Sequence, residues 1–300
     1  MSTSISHGNK NNLAVFGLLF GALAWGVVWY PYRLMAEAGV SGVASSFYTY
    51  CIATTLAAIV FGKHWRGLFS QPKSIVLLGL AAGWTNLSYV IAVIDGDVMR
   101  IMLLFYLSPL WTLLLARFWL KEPITKVGFI SIFIALIGAY IMLAGPFSVI
   151  SNRLPIPQNI AEWLALSAGI GFAFSNVITR KSSHLSIRAK SFAVWIGVMS
   201  VALICAPFIG DKFPAPNFFS INNWLVMGFI ALILLTATML VQFGVTQLTA
   251  IRASVLFLFE LVVAAIASYY LAHEVMSLNE WIGGGLIIAA ALSAALNHVD

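Results

Sequence analysis

Glu260 is where chemistry would concentrate, because it is the one acidic residue deep inside a long apolar stretch, about midway between Arg252 and His273. A charged side chain at that depth in a bilayer costs roughly 2.5 to 3.5 kcal/mol on insertion scales, so it must face a cavity, meet a partner or carry a proton. Two readings stand side by side. In one, Glu260 contacts a substrate amine or exchanges a proton; in the other it is a protonated acid hydrogen-bonded to Ser, Thr or Gln on a neighbouring helix.

Other polar groups fall on faces. Thr85, Asn86 and Tyr89 share one by three- and four-residue spacing, next to Trp84 and Ser88. Thr238, Gln242 and Thr246 form a second stripe, and Trp163, Ser167, Gly171 and Ser175 recur at intervals of four with Asn176 beside them. Amides and hydroxyls turned to lipid would be unsatisfied, so these faces point inward, either joining helices or lining a pathway. Small-residue packing accounts for Ser167, Gly171 and Ser175, whereas Asn86 and Gln242 fit a lining better. Trp84, Tyr89, Tyr106 and Trp163 share stretches or faces with these groups and are placed to contact a substrate. Trp29, Tyr30, Tyr32, Trp65, Trp119, Trp224 and Trp281 fall at stretch ends, where aromatic belts are normal. A wall of rings with a few fixed polar atoms suits an amino acid with an apolar side chain. Pro31 and Pro109 each remove a helix hydrogen bond and are candidate hinges, although prolines are common in membrane helices.

Enzyme chemistry has little to rest on. All five histidines (His7, His64, His184, His273, His298) lie in tails or loops, and the sequence has no metal-ligand spacing and no phosphate-binding loop. No catalytic residue, metal or cofactor is expected. Cys51 and Cys205 fall inside apolar runs, as small buried hydrophobes do.

These residues must be positioned by a membrane protein. The chain of 300 residues is 61% hydrophobic and only 9% charged, with mean hydropathy +0.96, far from a soluble domain. The net charge of +6 does not point to nucleic acid, since Lys and Arg lie between apolar runs rather than in one patch. Ten runs of about the length needed to span a bilayer can be drawn, at 13–35, 43–62, 74–94, 98–119, 124–144, 160–180, 190–209, 222–245, 250–271 and 279–297. The longest linker, 145–159, holds three prolines and divides the chain into two sets of five. With a cytoplasmic N-terminus, alternate loops place Lys10, Lys63, Arg66, Lys73, Arg117, Lys121, Lys126, Arg180, Lys181, Arg188, Lys190 and Arg252 inside. Arg33, Arg100, Arg153 and Lys212 fall outside. That bias puts both ends in the cytoplasm.

An odd number of spans per half turns the second half upside down. The stretch from Arg100 to Glu122 is written again from Arg252 to Glu274, with Leu104-Phe105 matched by Leu256-Phe257; a weaker match pairs Arg33 with Arg180. The fold class that follows is an all-α membrane protein of ten transmembrane helices, in two inverted five-helix repeats spanning 1–148 and 149–300, both termini cytoplasmic. Such repeats place a substrate site near mid-membrane between the halves. Gly17-x-x-x-Gly21, Gly79-x-x-x-Gly83 and Gly283-Gly284-Gly285 allow close helix approach, read here as packing within one chain, so a monomer suffices.

Ten spans in two halves, Ala24-Trp25-Gly26 followed by Arg33, Ser108-Pro109 in the fourth span, and Glu122 and Glu274 capping the fourth and ninth together resemble the EamA-type drug/metabolite transporter superfamily. Within it the chain is most similar to the aromatic amino acid exporters of the YddG type. One departure stands out: where such families repeat the proline in the ninth span, this chain has Leu261 after Glu260. The resemblance implies a bacterial inner-membrane secondary transporter that exports amino acids, aromatic and other apolar ones included, by alternating access. Its implied substrate-contacting set is Trp84, Asn86, Tyr89, Tyr106, Trp163, Gln242 and Glu260; a multidrug or other metabolite exporter, or a channel, is the alternative.

Overall fold

The computed structural model describes residues 2–62, 71–96, 98–123, 126–144, 157, 159–210, 213–271 and 278–296. Among them the secondary structure is helical, with no strand. The first half holds α1 (Ser2–Glu37), α2 (Gly42–Phe61), α3 (Pro72–Asp95), α4 (Val98–Phe105), α5 (Ser108–Leu115) with a wider π-type turn at Ala116–Leu120, and α6 (Lys126–Ala144). The second holds α7 (Ile160–Lys181), α8 (Ile187–Ile209), α9 (Ile221–Gln247), α10 (Ala250–Phe257), α11 (Phe259–Leu271) and α12 (Leu278–Leu296). Among the described residues seven helical stretches are long and apolar enough to cross a membrane: α1 from Lys10, α2, α3, α7, α8, α9, and α10 with α11 taken together. Shorter apolar segments lie in α6 and α12.

Polar residues mark the boundaries. The side chains of Ser41, Asn159, Ser186, Ser220 and Thr249 each accept a hydrogen bond from the backbone N–H three residues on, starting α2, α7, α8, α9 and α10. Gly210 ends α8 in the left-handed conformation at φ 75°. Lys121 closes the π-type turn at φ 57°, unusual for a residue with a side chain.

Packing follows a two-fold pattern. α1 lies on α9 as α7 lies on α3; α2 lies on α9 as α8 lies on α3; and α1 meets α10 and α11 as α7 meets α4 and α5. α2 packs on α8, and α6 on α12, each with its own counterpart. Small residues permit these approaches. A Cβ on Gly197 would strike the backbone of Gly79, and one on Gly83 would come within 2.5 Å of the Gly197 carbonyl oxygen. A Cβ on Gly17 would lie 2.7 Å from the Leu240 carbonyl oxygen, and one on Gly138 would lie 2.8 Å from that of Gly283. The glycine motifs therefore serve contacts within the chain.

Several expectations change. The fourth stretch is not one helix: α4 stops at Phe105 and α5 starts at Ser108, so Pro109 stands in the first turn of a new helix, where a missing N–H costs nothing. The ninth stretch breaks at Leu258 although no proline is present. Pro31 produces no such break, since α1 continues through it as helix. Trp29 and Tyr32, assigned to an interfacial belt, are buried in the core. Glu274, His273 and Arg153 lie outside the described residues, and only the backbone of Arg100 is described.

Candidate functional site

A cavity lies between the two halves. About 730 Å³ of space unfilled by atoms, partly open to solvent, is bordered by α1, α2, α3 and α4 of the first half and α7, α8, α9 and α11 of the second. A continuous chain of five rings runs beside it, all but Phe257 bordering the cavity. Tyr89 meets Phe105 at 5.1 Å between ring centroids, Phe105 meets Phe172 at 5.5 Å, Phe172 meets Phe257 at 4.9 Å, and Phe257 meets Trp25 at 6.1 Å. All four pairs are tilted or edge-on, the arrangement favoured by the ring quadrupole. Phe105 and Phe257 are the phenylalanines of the repeated Leu-Phe pair, and each sits at the last residue before its helix break. The repeat thus delivers two rings to one ribbon.

Glu260 stands in the first turn of α11, just past the break at Leu258, and borders the cavity while being 4% exposed. The unpaired N–H groups of a helix start favour negative charge. Gly26 lets α1 close against this junction: a Cβ there would lie 2.9 Å from the Glu260 carbonyl oxygen and 2.8 Å from the Val263 side chain. That gives two members of Ala24-Trp25-Gly26 a physical task, Trp25 as cavity wall and Gly26 as the close contact behind it.

Amides on opposing walls are oriented by their neighbours. On α3, Asn86 donates through Nδ2 to the Tyr50 hydroxyl at 3.2 Å, and its Oδ1 has no hydrogen-bond partner among the described residues. On α9, Gln242 accepts at Oε1 from the Thr179 hydroxyl at 2.9 Å. Asn176, Thr238 and Tyr89 also border the cavity, and Asn176 Nδ2, Thr238 Oγ1 and the Tyr89 hydroxyl have no hydrogen-bond partner among the described residues. Buried polar atoms are rarely left so, and a polar group in the cavity would find partners among these residues.

Behind Gln242 lies a charged network. Lys190 donates to the Thr246 hydroxyl and to the Thr179 carbonyl at 3.5 Å. Arg180 donates to the Thr246 carbonyl at 2.6 Å and to Glu122 Oε1 at 3.2 Å, while Glu122 Oε2 accepts from Ala250 N–H at 3.0 Å. Side chains of α7, α8 and α9, the turn after α5 and the start of α10 are joined through these bonds.

Of the residues named from sequence, the structure brings Asn86, Tyr89, Gln242 and Glu260 to the cavity. Trp84 and Trp163 do not belong there. Trp84 is 39% exposed and donates from Nε1 to Ser167 at 3.2 Å on the outside of the α3–α7 contact, and Trp163 is 58% exposed. Tyr106 is buried in the turn between α4 and α5, beside the Glu260 carboxylate, but does not border the cavity and makes no hydrogen bond of good geometry. Trp25, Tyr50, Phe105 and Phe172 border the cavity and were not among the residues expected to contact a substrate. Phenylalanines in apolar runs carry no mark separating a cavity wall from a lipid face; the repeat itself was the usable signal for Phe105. Among the described residues no group of His, Cys, Asp and Glu is placed to hold a metal.

Comparison with known proteins agrees with this architecture. An uncharacterized transporter of Pseudomonas aeruginosa is 25% identical over 166 residues, covering 51% of this chain and 49% of that protein, so the chain spans about half of that relative's length. An uncharacterized transporter of Archaeoglobus fulgidus is 27% identical over 221 residues, 73% of this chain and 75% of its own. An uncharacterized membrane protein of Saccharomyces cerevisiae is 21% identical over 275 residues, 86% of this chain and 64% of its own. A protein of known crystal structure shares the fold, with a TM-score of 0.73 at 15% identity over 94% of this chain and 97% of that one. The model of the EamA-like transporter family matches twice in succession, over residues 12–144 and 159–296, and the chain belongs to that family.

Proposed function

We propose that the protein is a secondary carrier that exports small metabolites, most of all amino acids with aromatic and other apolar side chains, by alternating access around the cavity. The observation that carries this reading is the cavity itself, where a ribbon of five rings from both halves runs beside Glu260 and two oriented amides. Rings suit the side chain, and the carboxylate and amides suit the charged groups of an amino acid. Ten membrane helices in two halves of opposite polarity, 1–148 and 149–300, with both termini cytoplasmic in a bacterial inner membrane, form the scaffold. The exchange of packing partners between halves supports it, as does the excess of Lys and Arg on one side. A monomer is sufficient, because the glycine contacts are made within the chain.

The test is counterflow in proteoliposomes with a panel of labelled amino acids. Preloaded aromatic and branched apolar amino acids are expected to accelerate uptake. If no amino acid exchanges while lipophilic cationic drugs do, the protein is a multidrug exporter; flux without acceleration by preloading would make it a channel.

A further inference from the structure

The charged network behind the α9 wall contains a group that the proposed function leaves without a task. Lys190 is 0% exposed, yet its partners are a hydroxyl and a backbone carbonyl, both neutral. The carboxylate of the network, Glu122, is engaged by Arg180 Nε and by Ala250 N–H. If the only need were to tie α7, α8 and α9 together, a packed apolar residue would serve without the desolvation of a cation. The position of the amine suggests otherwise. Thr179 joins it to the cavity, receiving Lys190 at its carbonyl and donating from its hydroxyl to Gln242 Oε1. With that oxygen occupied, Gln242 offers the cavity N–H donors, and the cations Lys190 and Arg180 stand behind them against the single carboxylate of Glu122. The same cavity is bordered by the carboxyl group of Glu260 and by Asn86, whose Oδ1 has no hydrogen-bond partner among the described residues.

We propose that Gln242, oriented by Thr179 and backed by Lys190, is the subsite for the carboxylate of the transported molecule. Substrates then bind in one direction, with the carboxylate toward α9 and the ammonium toward Glu260, and Lys190 is a positioning and selectivity residue that acts through Thr179 and Gln242. This inference rests on the amino acid reading above.

The experiment uses the full-length protein in proteoliposomes and measures phenylalanine counterflow in competition with phenethylamine, which lacks the carboxylate, and with 3-phenylpropionate, which lacks the amine. For the natural sequence, phenylalanine should compete better than either analogue by about tenfold or more, the size of a lost hydrogen bond to a charged group. Lys190→Met and Gln242→Leu should weaken phenylalanine and 3-phenylpropionate by about tenfold while leaving phenethylamine unchanged. Lys190→Arg should restore the preference for the carboxylate. Should Lys190→Met fail to fold, as judged by gel filtration and thermal midpoint, Thr179→Val gives the same readout with the main-chain bond to Lys190 retained. Equal loss for all three compounds in the variants, or phenethylamine competing as well as phenylalanine against the natural sequence, would overturn the assignment. Absence of amino acid counterflow in the natural sequence would instead overturn the transport reading on which it rests.

Discussion

Arg33 near the end of α1 and Arg180 near the end of α7 occupy matching places in the two halves, and each reaches a backbone carbonyl late in a helix of its own half. For Arg180 the acceptor is Thr246 of α9 at 2.6 Å, and Glu122 adds an ion pair at 3.2 Å. For Arg33 the acceptor is Val93 of α3 at 3.5 Å, and the guanidinium lies over the Trp29 ring at 5.4 Å. The same device is therefore drawn tight in one half and slack in the other. Two related halves need not be symmetric within one conformation, and here one end is fastened and the other loose.

The strongest test of this comparison removes the carboxylate. Glu122→Ala deprives Arg180 of its counter-ion and Ala250 of its N–H acceptor in one step. Breaking a fully buried pair costs roughly 3 to 5 kcal/mol. Here the side chains are 29% exposed for Arg180 and 13% for Glu122, so solvent screening reduces the expected loss to about 2 kcal/mol. The thermal midpoint in detergent should fall by several degrees, and a cysteine placed at Thr246, in a background free of Cys51 and Cys205, should become reactive. An unchanged midpoint together with an unreactive cysteine would mean that the Arg180 end is not held by this clasp.

A smaller effect is expected at the slack end. Arg33→Ala removes a long hydrogen bond and one ring contact, together about 1 kcal/mol at a partly exposed position. Its midpoint should therefore move less than that of Arg180→Ala. If the two arginines proved equal, the asymmetry between the ends would have no energetic content.

Sequence made the halves legible because charge and length are written locally. The Arg33 and Arg180 pairing, the twin Leu-Phe and the positions of most helices follow from residues readable one at a time. Asn86, Gln242 and Glu260 could be found because an amide or an acid in an apolar run has few places to go. What could not be read was direction around each helix axis. Trp84 and Asn86 are two residues apart, and only the contact of α3 with α7 and α8 decides that the ring faces outward and the amide inward. Lys190 was counted as a loop charge near the start of a stretch, yet it is buried, because α8 begins at Ile187 and carries it into contact with α7 and α9.

The helix breaks carry the least costly and most discriminating test. Ser108-Pro109 suggests that proline makes the first break, but the second arises at Leu258 with leucine at the matching place. What the two junctions share is a glycine from the other half pressed against them: a Cβ on Gly169 of α7 would lie 2.7 Å from the Phe105 carbonyl oxygen, as one on Gly26 of α1 would lie 2.9 Å from that of Glu260. Both junctions also use the tighter i to i−3 pattern, with Leu107 N–H donating to the Leu104 carbonyl at 3.3 Å and Leu258 N–H to that of Val255 at 3.1 Å. If contact across the halves sets the break, Pro109→Ala should cost only the lost restriction of the unfolded chain, about 0.5 kcal/mol, and counterflow should stay within about twofold, a change of that same size. Abolished transport in a folded Pro109→Ala protein would show instead that proline is the working hinge of the first half, and that the second half, lacking one, moves by a different means.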